Sequence, residues 1–572
     1  MEYAAIEHGA NKRYCYAVEK NQFIIRLKTK RDDIRRVVLH THDKYLSMKQ
    51  LDKAGTWEMK RASFDRYHDY FEVQIPMDVV CLRYFFELEG MDGAVSYYGN
   101  YQFYPEVIEN LQHMFDCPQT LREEEQFEIP HWAQGKVVYQ IFPSRFSTTA
   151  EVSKELWYKT PIEAWDELKG NLRGITARLE YIKNLGADVV YLTPIFRSAS
   201  QHKYDTIDYF QIDPDFGTQE DLKELVDRAH ELGLRVILDG VFNHTAPEFF
   251  AFEDVRKNGE NSDYKDWYHI EQFPLRAEWG EKPSYKCFAY FGGMPKLNQI
   301  NPEVEKYIMD VACYWLRTCG IDGWRLDVGD EVSHRFWKKF REAVRSINPE
   351  ALLIGETWYY ADDFLEGDEW DTIMNYDFYL AVRDFVAEEK TTASRFVETI
   401  GFLRGNIHKK VFPIFWNLID SHDTERFLHA CGERKEKQHF AAALQLLLPG
   451  MPMIYYGDEY AMTGADDPDC RRGMVWDEAY QDQKMYEWYR TLISVRHQYP
   501  ALTHGEITTL AADDETALIT MVAEKDNVSV TVLFHGADGT AEAGAYVGRQ
   551  DLLTGQSFDG VLQPYQTAVF VS

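Results

Sequence analysis

The 572-residue sequence lacks several features that would assign it to common protein classes. Its opening stretch, MEYAAIEHGANKRYCYAVEK, has no uninterrupted apolar core of signal-peptide length. No apolar run is long enough to form a transmembrane helix. The eight cysteines are scattered without a CxxC pair or the spacing of a small disulfide-rich domain, which favours reduced thiols. These absences predict a soluble, cytoplasmic protein.

Positive charge is also scarce. Lysine and arginine number 62 against 93 aspartates and glutamates, which gives a formal net charge of −31. That balance argues against nucleic-acid backbones and anionic membrane surfaces as partners, because both repel an acidic protein. Hydrophobic residues make up 45% and aromatic residues 15%, so buried cores are expected rather than disorder. At this length the chain is expected to form roughly three or four domains.

Several catalytic motifs are missing as well. The sequence has no GxSxG nucleophile elbow, so a serine hydrolase of that type is not expected. It has no HExxH and no close His/Cys cluster, which excludes the common zinc motifs. Neither GxxxxGK[ST] nor GxGxxG follows a predicted strand, so no phosphate-binding loop is predicted. Carboxylate chemistry is the class that remains.

Both ends of the chain have the pattern of β-structure. Near the N-terminus, alternating β-branched and aromatic residues predict a β-sandwich over residues 1–123, in the runs FIIRLKTK, RRVVLHTH, YFEVQIP and CLRYFFELEG. The polar stretch CPQTLREEEQFEIPHW then reads as a linker. Near the C-terminus, ALITMVAE and VSVTVLF predict a second β-sandwich over residues 502–572.

The central region predicts an α/β fold, a (β/α)8 TIM barrel over residues 124–501. Eight buried strand-like runs occur there, most of them separated by helical periodicity. In order they are KVVYQIF, ADVVYLTPIF, LRVILDGVFNH, IDGWRLDVGD, ALLIGETW, WDTIMNY, VFPIFWNLIDSHD and MPMIYYGDE. About 55 residues separate the third strand from the next helix, too many for a βα loop, so residues 243–300 are predicted to form an inserted small domain.

Polar residues gather at the predicted C-terminal ends of these strands, which form one rim in such a barrel. They are Asp239, Asn243, His244, Arg325, Asp327, Glu356, His422 and Asp423. Any one of them alone is more often structural than catalytic, but their convergence from four strands indicates a site. Arg325 and Asp327 share one face of an extended segment, so the arginine is expected to keep the aspartate ionised. A buried structural ion pair is the alternative.

Paired carboxylates are the groups that cleave glycosidic bonds. Asp327 would attack the anomeric carbon. Glu356 has a more apolar setting beside Trp358 and would keep its proton for the leaving oxygen. Asp423 would stabilise the oxocarbenium-like charge or hold sugar hydroxyls. The predicted catalytic residues are therefore Asp327, Glu356 and Asp423.

Four stretches resemble, in order, the characteristic segments of the α-amylase family of glycoside hydrolases. They are DGVFNH (239–244), GWRLDVGDE (323–331), LIGETW (353–358) and NLIDSHD (417–423). The resemblance covers most of residues 130 to 500 and implies the same three catalytic roles. It also implies that the sugar at the cleavage point is lined by His202, Tyr204, His244, Arg325 and His422. Tyr204 would be its stacking platform.

A narrower resemblance is to the neopullulanase, cyclomaltodextrinase and maltogenic amylase group. It rests on MPKLN, HKYDTIDYFQIDPDFGT, DDPDCRRGMVW and the extra β-domain before the barrel. It implies that Asp467 and Arg471 hold the next sugar on the non-reducing side. Glu331 and Trp358 would lie on the acceptor side and influence transfer to sugars.

The narrower resemblance also implies a function. The chain would be a retaining hydrolase of α-1,4 and in part α-1,6 bonds in cyclodextrins, maltooligosaccharides and pullulan. It would act as a homodimer whose N-terminal domain narrows the partner's cleft, and HDKYL (42–46) resembles the part of that domain that reaches the partner's site.

The sequence departs from this group at two places. Gly329 and Asp330 stand where Ala-Asn is usual, which predicts altered acceptor handling. The segment IFPSRFSTTAEVSKE lacks an Asn- and Asp-rich calcium loop, and Asn171 stands where an aspartate ligand is common. Since calcium sites need several oxygen ligands, no required cofactor and no metal ligand is predicted. Asn243 remains either a hydrogen-bonding residue or a ligand.

Other functions stay open at this point. An ordinary α-amylase or an α-1,6-glucosidase would use the same segments, although the N-terminal domain and MPKLN favour the narrower group. A non-catalytic barrel associated with a transporter would be expected to lack a catalytic carboxylate, and all three are present. A structural carbohydrate-binding protein would not account for the rim. The stretch CFAYFGGMP (287–295) fits a sugar-stacking surface and local core equally well.

Overall fold

The computed structural model describes residues 1–19, 22–45, 55–76, 79–118, 127–278 and 280–572. The N-terminal domain contains nine antiparallel strands in the spatial order β1-β2-β5-β4-β3-β6-β7-β8, with β9 beside β6. Their bounds are β1 Cys15–Glu19, β2 Gln22–Lys30, β3 Ile34–Asp43, β4 Gly55–Phe64, β5 His68–Pro76, β6 Cys81–Gly90, β7 Val95–Gly99, β8 Gln102–Tyr104 and β9 Phe115–Pro118.

One strand joins the two layers of this domain. The first half of β4 pairs with β3 and its second half pairs with β5. Alternate side chains of both layers, among them Phe23, Leu39 and Phe86, meet in one buried core. The predicted N-terminal β-sandwich is thus confirmed. The predicted linker falls partly on residues 119–126, outside the described part of the chain.

Eight parallel strands close into the predicted barrel, with β19 paired to β10. The strands of this region are β10 Val138–Ile141, β11 Val189–Leu192, β12 Phe196–Ser198, β13 Thr206–Ile212, β14 Arg235–Gly240, β15 Gly323–Leu326, β16 Leu352–Gly355, β17 Thr372–Asn375, β18 Trp416–Asn417 and β19 Met451–Tyr455. Strands β12 and β13 form an antiparallel hairpin outside the barrel. The sequence analysis merged its first strand with β11, and the link between β12 and β13 carries His202 and Tyr204.

Helices cover the barrel, with apolar faces buried against the strands. Their bounds are α1 Pro143–Phe146, α2 Lys154–Trp157, α3 Leu172–Thr176, α4 Leu179–Leu185, α5 Gln219–Glu231, α6 Phe250–Asn258, α7 Pro302–Thr318, α8 His334–Ile347, α9 Tyr376–Val382, α10 Ala393–Asn406, α11 Phe427–Ala430, α12 Lys435–Leu447, α13 Gln483–Gln498 and α14 Ala501–His504. The start of α7 shows how the sequence sets these bounds: Asn301 caps it and Pro302 occupies its first turn. Among the described helices, none is both long and apolar enough to cross a membrane.

The segment 243–300 leaves the barrel after β14 and contains α6 with several short 3₁₀ turns. Its ends meet where the Leu297 amide donates to the Asn243 carbonyl at 3.0 Å. After α14 the chain forms β20 Glu506–Asp513, β21 Leu518–Lys525, β22 Val528–His535, β23 Ala541–Glu542, β24 Val561–Leu562 and β25 Thr567–Val571. The β23–β24 pair packs on the β20-β21-β22-β25 sheet around Leu533 and Phe570, so the predicted C-terminal β-domain is confirmed.

Candidate active site

A single guanidinium lies at the centre of the barrel rim. Arg325, fully buried on β15, donates from Nη1 to Asp239 Oδ1 at 3.0 Å and to Asp327 Oδ1 at 2.8 Å. Its Nη2 lies 2.9 Å from Glu356 Oε1. Carboxylates that follow or end three adjacent strands therefore surround one positive charge. The structure brings the predicted nucleophile and acid into one cluster.

The charges in this cluster do not balance. Burial raises the pKa of Asp327 well above its ordinary value; Arg325 opposes this, and Glu356 and Asp239 reinforce it. Burial likewise raises the pKa of Asp239 to about 6. The expectation that Arg325 would keep Asp327 ionised is therefore not met by that pair alone, because one cation is shared among three buried carboxylates. The cluster holds protons that exposed carboxylates would release.

The backbone after β15 aims an amide at the predicted acid. Val328 has φ 46° and ψ 45°, in the left-handed region, which is a rare conformation for a β-branched residue. In this conformation its N–H donates to Glu356 Oε2 at 2.9 Å. Asp327 Oδ1 is held by Arg325, whereas Oδ2 has no hydrogen-bond partner among the described residues. One oxygen of Asp327 is thus left for chemistry.

The third predicted carboxylate is the most open. The Asp423 side chain is 28% exposed, against 7% for Asp327 and for Glu356. Arg471 Nη2 lies 3.4 Å from Asp423 Oδ1, and its Nη1 lies 2.7 Å from Asp467 Oδ1. The predicted pair Asp467 and Arg471 is therefore beside Asp423, at an accessible edge of the rim.

The predicted histidines are held neutral by burial. His422 Nδ1 accepts from the Gln140 amide, 2.8 Å away, so the ring proton is on Nε2, which contacts the Tyr204 hydroxyl and lies 3.2 Å from Asp423 Oδ2. Burial lowers the pKa of His422 well below its ordinary value. Burial also lowers the pKa of His244 to about 4, and His244 Nε2 contacts the Tyr204 carbonyl at 3.1 Å. Neutral imidazoles suit hydrogen bonds to sugar hydroxyls.

Tyr204 connects the hairpin link to this cluster. Its hydroxyl donates to Asp239 Oδ2 at 3.0 Å and is hydrogen-bonded to His422 Nε2. Its ring lies parallel to that of His422, with 5.5 Å between centroids. The His202 ring is 6.0 Å away, and its Nδ1 accepts from the Tyr204 amide. Both residues of the link therefore lie at the site, as the sequence analysis expects.

The predicted acceptor-side residues lie just beyond the carboxylates in the chain. Trp358 is 39% exposed and stacks on Tyr376 with 4.0 Å between ring centroids. Glu331 forms an ion pair with Lys296 Nζ at 3.2 Å. Among the described residues, no hydrogen bond or ion pair joins either side chain to Arg325 or its three carboxylates. Both side chains are more exposed to solvent than those carboxylates.

The sequence analysis missed four residues at the rim. Gln140 and Tyr191 are buried on barrel strands, and the Tyr191 hydroxyl donates to Asp239 Oδ2 at 2.6 Å. The available signal was a polar group inside each of two apolar runs, VYQI and VVYL. Lys296 belongs to the quoted MPKLN stretch and Tyr376 directly follows β17, but neither received a role.

The two candidate calcium positions do not fit the ion. The Asn171 side-chain oxygen caps α3 by accepting from the Gly174 amide at 2.8 Å. The Asn243 side-chain oxygen accepts from the Lys296 ammonium, and a cation already facing that oxygen would repel calcium. These contacts favour the hydrogen-bonding interpretation of Asn243.

Comparisons with known proteins agree with this geometry. Residues 140–489 match the family model for the alpha amylase catalytic domain, and residues 1–120 match that for the alpha amylase N-terminal ig-like domain. A cyclomaltodextrinase from Geobacillus thermopakistaniensis is 39% identical over 98% of this chain and 96% of its own length. Neopullulanase 2 from Thermoactinomyces vulgaris is 40% identical over 98% of each chain.

A solved structure gives the same result for the whole fold. A cyclomaltodextrinase superposes with a TM-score of 0.92 at 35% identity, covering 100% of this chain and 98% of that one. The resemblance drawn from four short segments is thereby confirmed over nearly the full length. The chain belongs to the α-amylase family of glycoside hydrolases.

Proposed function

We propose that this chain is a retaining α-glucan hydrolase that opens cyclodextrins and cuts maltooligosaccharides and pullulan. The observation that carries the proposal is the cluster of Asp327, Glu356 and Asp239 around Arg325, with Asp423 at its open edge. Retaining glycosidases need one carboxylate that attacks and one that delivers a proton. The names of the relatives, cyclomaltodextrinase and neopullulanase, support the class of substrate.

In the first step Asp327 Oδ2 attacks the anomeric carbon. The bond from that carbon to the glycosidic oxygen breaks, and the leaving oxygen takes the proton of Glu356. Three buried carboxylates face one cation, and this division of roles places a proton on Glu356 and the negative charge on Asp327. Arg325 then stabilises Glu356 once that carboxylate has become ionised.

In the second step Glu356 acts as a base. It removes a proton from water, the water oxygen bonds to the anomeric carbon, and the ester bond to Asp327 breaks. Two inversions at one carbon retain the α configuration. Asp423 and its neighbour Arg471 contact the sugar through this sequence, and Asp423 stabilises the positive charge that develops on the ring.

A sugar hydroxyl can replace water in the second step. Trp358, stacked on Tyr376, provides an exposed aromatic surface beside Glu356 on which an acceptor sugar could rest. Asp330 stands at the same side, and its side chain accepts from the Thr357 hydroxyl at 3.4 Å. Burial raises the pKa of Asp330, and the nearby Glu356 and Glu331 raise it further. We assign these residues to the balance of hydrolysis and transfer.

The mechanism requires no cofactor, because this chain's own groups supply every proton and charge. The Lys296 ammonium already neutralises the oxygen-rich corner formed by Asn243 and Glu331. Dialysis against EDTA is therefore expected to leave the initial rate unchanged. A loss of rate that calcium restores would refute this part of the proposal.

We further propose a cytoplasmic homodimer. Eight cysteine thiols suit a reducing compartment. On the N-terminal domain Tyr45 is 71% exposed and Val80 is 55% exposed, and the Lys44 amide donates to the Cys81 carbonyl, which brings the two together. An apolar patch of this kind fits contact with a second copy. Leu46, at the end of HDKYL, lies outside the described residues.

The test is a comparison of initial rates on β-cyclodextrin, pullulan and soluble starch, with products separated by chromatography. Fast opening of cyclodextrin and slow attack on starch support the proposal. Starch as the best substrate would indicate an ordinary α-amylase with an open cleft. Proton NMR of the first product must give the α anomer; a β anomer would refute the two-step mechanism.

A further inference from the structure

A second buried carboxylate cluster lies behind the loop that carries Asp423. Asp420 follows β18, three residues before Asp423, and Asp458 follows β19. Each is only 1% exposed, and Arg426 beside them is fully buried. The mechanism described above uses none of these three residues. Burying two carboxylates next to each other is costly, so their arrangement needs a physical reason.

The hydrogen bonds of this cluster leave two oxygens without an outside donor. Arg426 Nη1 donates to Asp458 Oδ1 at 3.0 Å, and the Phe427 amide donates to Asp420 Oδ2 at 2.7 Å. No other described residue donates to Asp420 Oδ1 or Asp458 Oδ2. The two side chains are close enough for each to affect the pKa of the other, so the two oxygens without a donor belong to neighbouring carboxyl groups. A hydrogen bond between two carboxyl groups requires a proton on one of them.

The surrounding charges point the same way. Arg426 is the one cation in contact with the pair among the described residues, so two ionised aspartates would leave a buried negative charge uncompensated. Glu459, also buried, takes its donors elsewhere, from the hydroxyls of Tyr139 and Tyr181. The hydroxyls of Tyr139, Tyr379 and Tyr489 also face the pair, and those of Tyr455 and Tyr456 face Arg426. Burial raises the pKa of both aspartates.

We propose that Asp420 and Asp458 share one proton at neutral pH and act as positioning residues for Asp423. The shared proton joins the loop after β18 to the segment after β19. Arg426 extends the connection, because its Nε donates to the Cys470 carbonyl at 3.0 Å, next to the Arg471 that contacts Asp423. The positioning role rests on the function proposed for Asp423, whereas the shared proton rests on the burial of the pair, the two oxygens without donors and the single arginine beside them.

A shared proton has a defined pH dependence. Because folding raises the pKa of the pair, the pair contributes most to stability below the ordinary aspartate pKa of about 3.9. That contribution falls as the pH rises through the raised pKa of the folded state. Above it, two carboxylates repel each other behind Asp423. The loop is then expected to loosen and the activity to fall on the alkaline side.

The test compares Asp420→Asn, Asp420→Ala and a matched control, Asp371→Asn. Asparagine donates to Asp458 as the protonated aspartate does, so Asp420→Asn should keep its apparent melting temperature within about 2 °C of wild type at pH 7. Asp420→Ala should melt lower. Asp371 is a fully buried aspartate that accepts from two arginines at 2.7 and 2.8 Å, so the same change there removes the carboxylate that these two guanidinium groups share and should also lower the melting temperature.

Activity adds a readout that a purely structural role would not move. Between pH 7 and pH 9 the kcat/KM of wild type should fall about threefold more than that of Asp420→Asn, which has no shared proton to lose. Asp420→Ala should lower kcat more than it raises KM, since Asp423 acts on the transition state. The shared proton is overturned if Asp420→Asn melts as low as Asp371→Asn. If the melting results hold while the kinetics of Asp420→Ala stay those of wild type, the positioning role is overturned.

Discussion

The two ends of the barrel differ in the number of basic side chains around each buried carboxylate. At the C-terminal ends of the strands, one arginine serves Asp239, Asp327 and Glu356. At the N-terminal ends an aspartate precedes each of three alternate strands, and each is held by at least one lysine or arginine. Asp371 accepts from Arg341 and Arg345.

The other two aspartates at the N-terminal end follow the same rule. Asp188 lies within 3.5 Å of Lys136 and 3.0 Å of His497, and Asp322 within 2.8 Å of both Arg235 and His230. Each of the three also accepts from a backbone amide of the neighbouring strand. Negative charge is therefore balanced at the N-terminal end of the barrel, where the aspartates stabilise the fold. It is in excess at the C-terminal end, where the proposed mechanism uses a proton. Variants at the two ends should separate these roles.

The largest effect is expected from Asp327→Asn at the C-terminal end. The amide cannot form the ester with the sugar, so kcat should fall by at least about 10³-fold. Stability should stay or rise, because the change relieves crowding among buried carboxylates. Steady-state rates and thermal melting measure the two effects. Turnover near that of wild type would show that Asp327 is not the nucleophile.

Asp371→Asn at the N-terminal end should do the reverse. It leaves Arg341 and Arg345 without their shared anion, and the free energy of unfolding should fall by about 3 kcal/mol. The kcat per folded molecule should be that of wild type, since Asp371 lies at the other end of the strands from the site. Denaturant unfolding with active-site titration checks this. An Asp371→Asn protein with unchanged stability and a lowered kcat would contradict the assignment of stability to the N-terminal end of the barrel.

A smaller, pH-dependent effect is expected at Asp188. Burial opposes its ionisation, but His497, Lys136 and the Val137 amide outweigh burial and lower the pKa of Asp188. The resulting stability is present above the ordinary aspartate pKa of about 3.9 and is lost as the pH falls through the lowered value. Asp188→Asn should therefore melt lower than wild type at pH 7, and the gap should narrow progressively as the pH falls below the ordinary aspartate pKa of about 3.9. A gap that stays constant with pH would contradict this assignment.

The smallest effect is expected from Trp358→Ala, at the C-terminal end but outside the charged cluster. Loss of the aromatic surface should lower the ratio of sugar transfer to hydrolysis by about threefold. The rate of hydrolysis itself should change less, because no hydrogen bond joins Trp358 to Arg325 or its carboxylates among the described residues. Product ratios at high maltose concentration provide the measurement. An unchanged ratio of transfer to hydrolysis would show that Trp358 does not form the acceptor surface.

Much of this architecture could be predicted from the sequence. Parallel strands buried on both faces read as continuous apolar runs, and all eight barrel strands were found in that way. The polar residues that end those runs gave the rim, including Asp327 and Glu356. The β12–β13 hairpin was missed because only Thr193, Pro194 and Ile195 separate β11 from Phe196, the first residue of β12.

The sharing of Arg325 could not be predicted. Sequence spacing relates Arg325 to Asp327, two residues away on one strand, but Asp239 and Glu356 join them only when neighbouring strands are in register. The pairing of Asp420 with Asp458 has the same origin, since it depends on the contact between the segments that follow β18 and β19. The balance of charge at each barrel end is a property of the closed sheet.

The central claim is that Asp327, one of the carboxylates clustered at the C-terminal rim, forms an ester with the sugar. The most direct measurement uses a fluorinated α-glucosyl fluoride that forms the ester and hydrolyses slowly, followed by protease digestion and mass spectrometry. The account predicts one added glycosyl mass, on the peptide that contains Asp327. A label on Glu356 or Asp423, or hydrolysis without any labelled peptide, would contradict it.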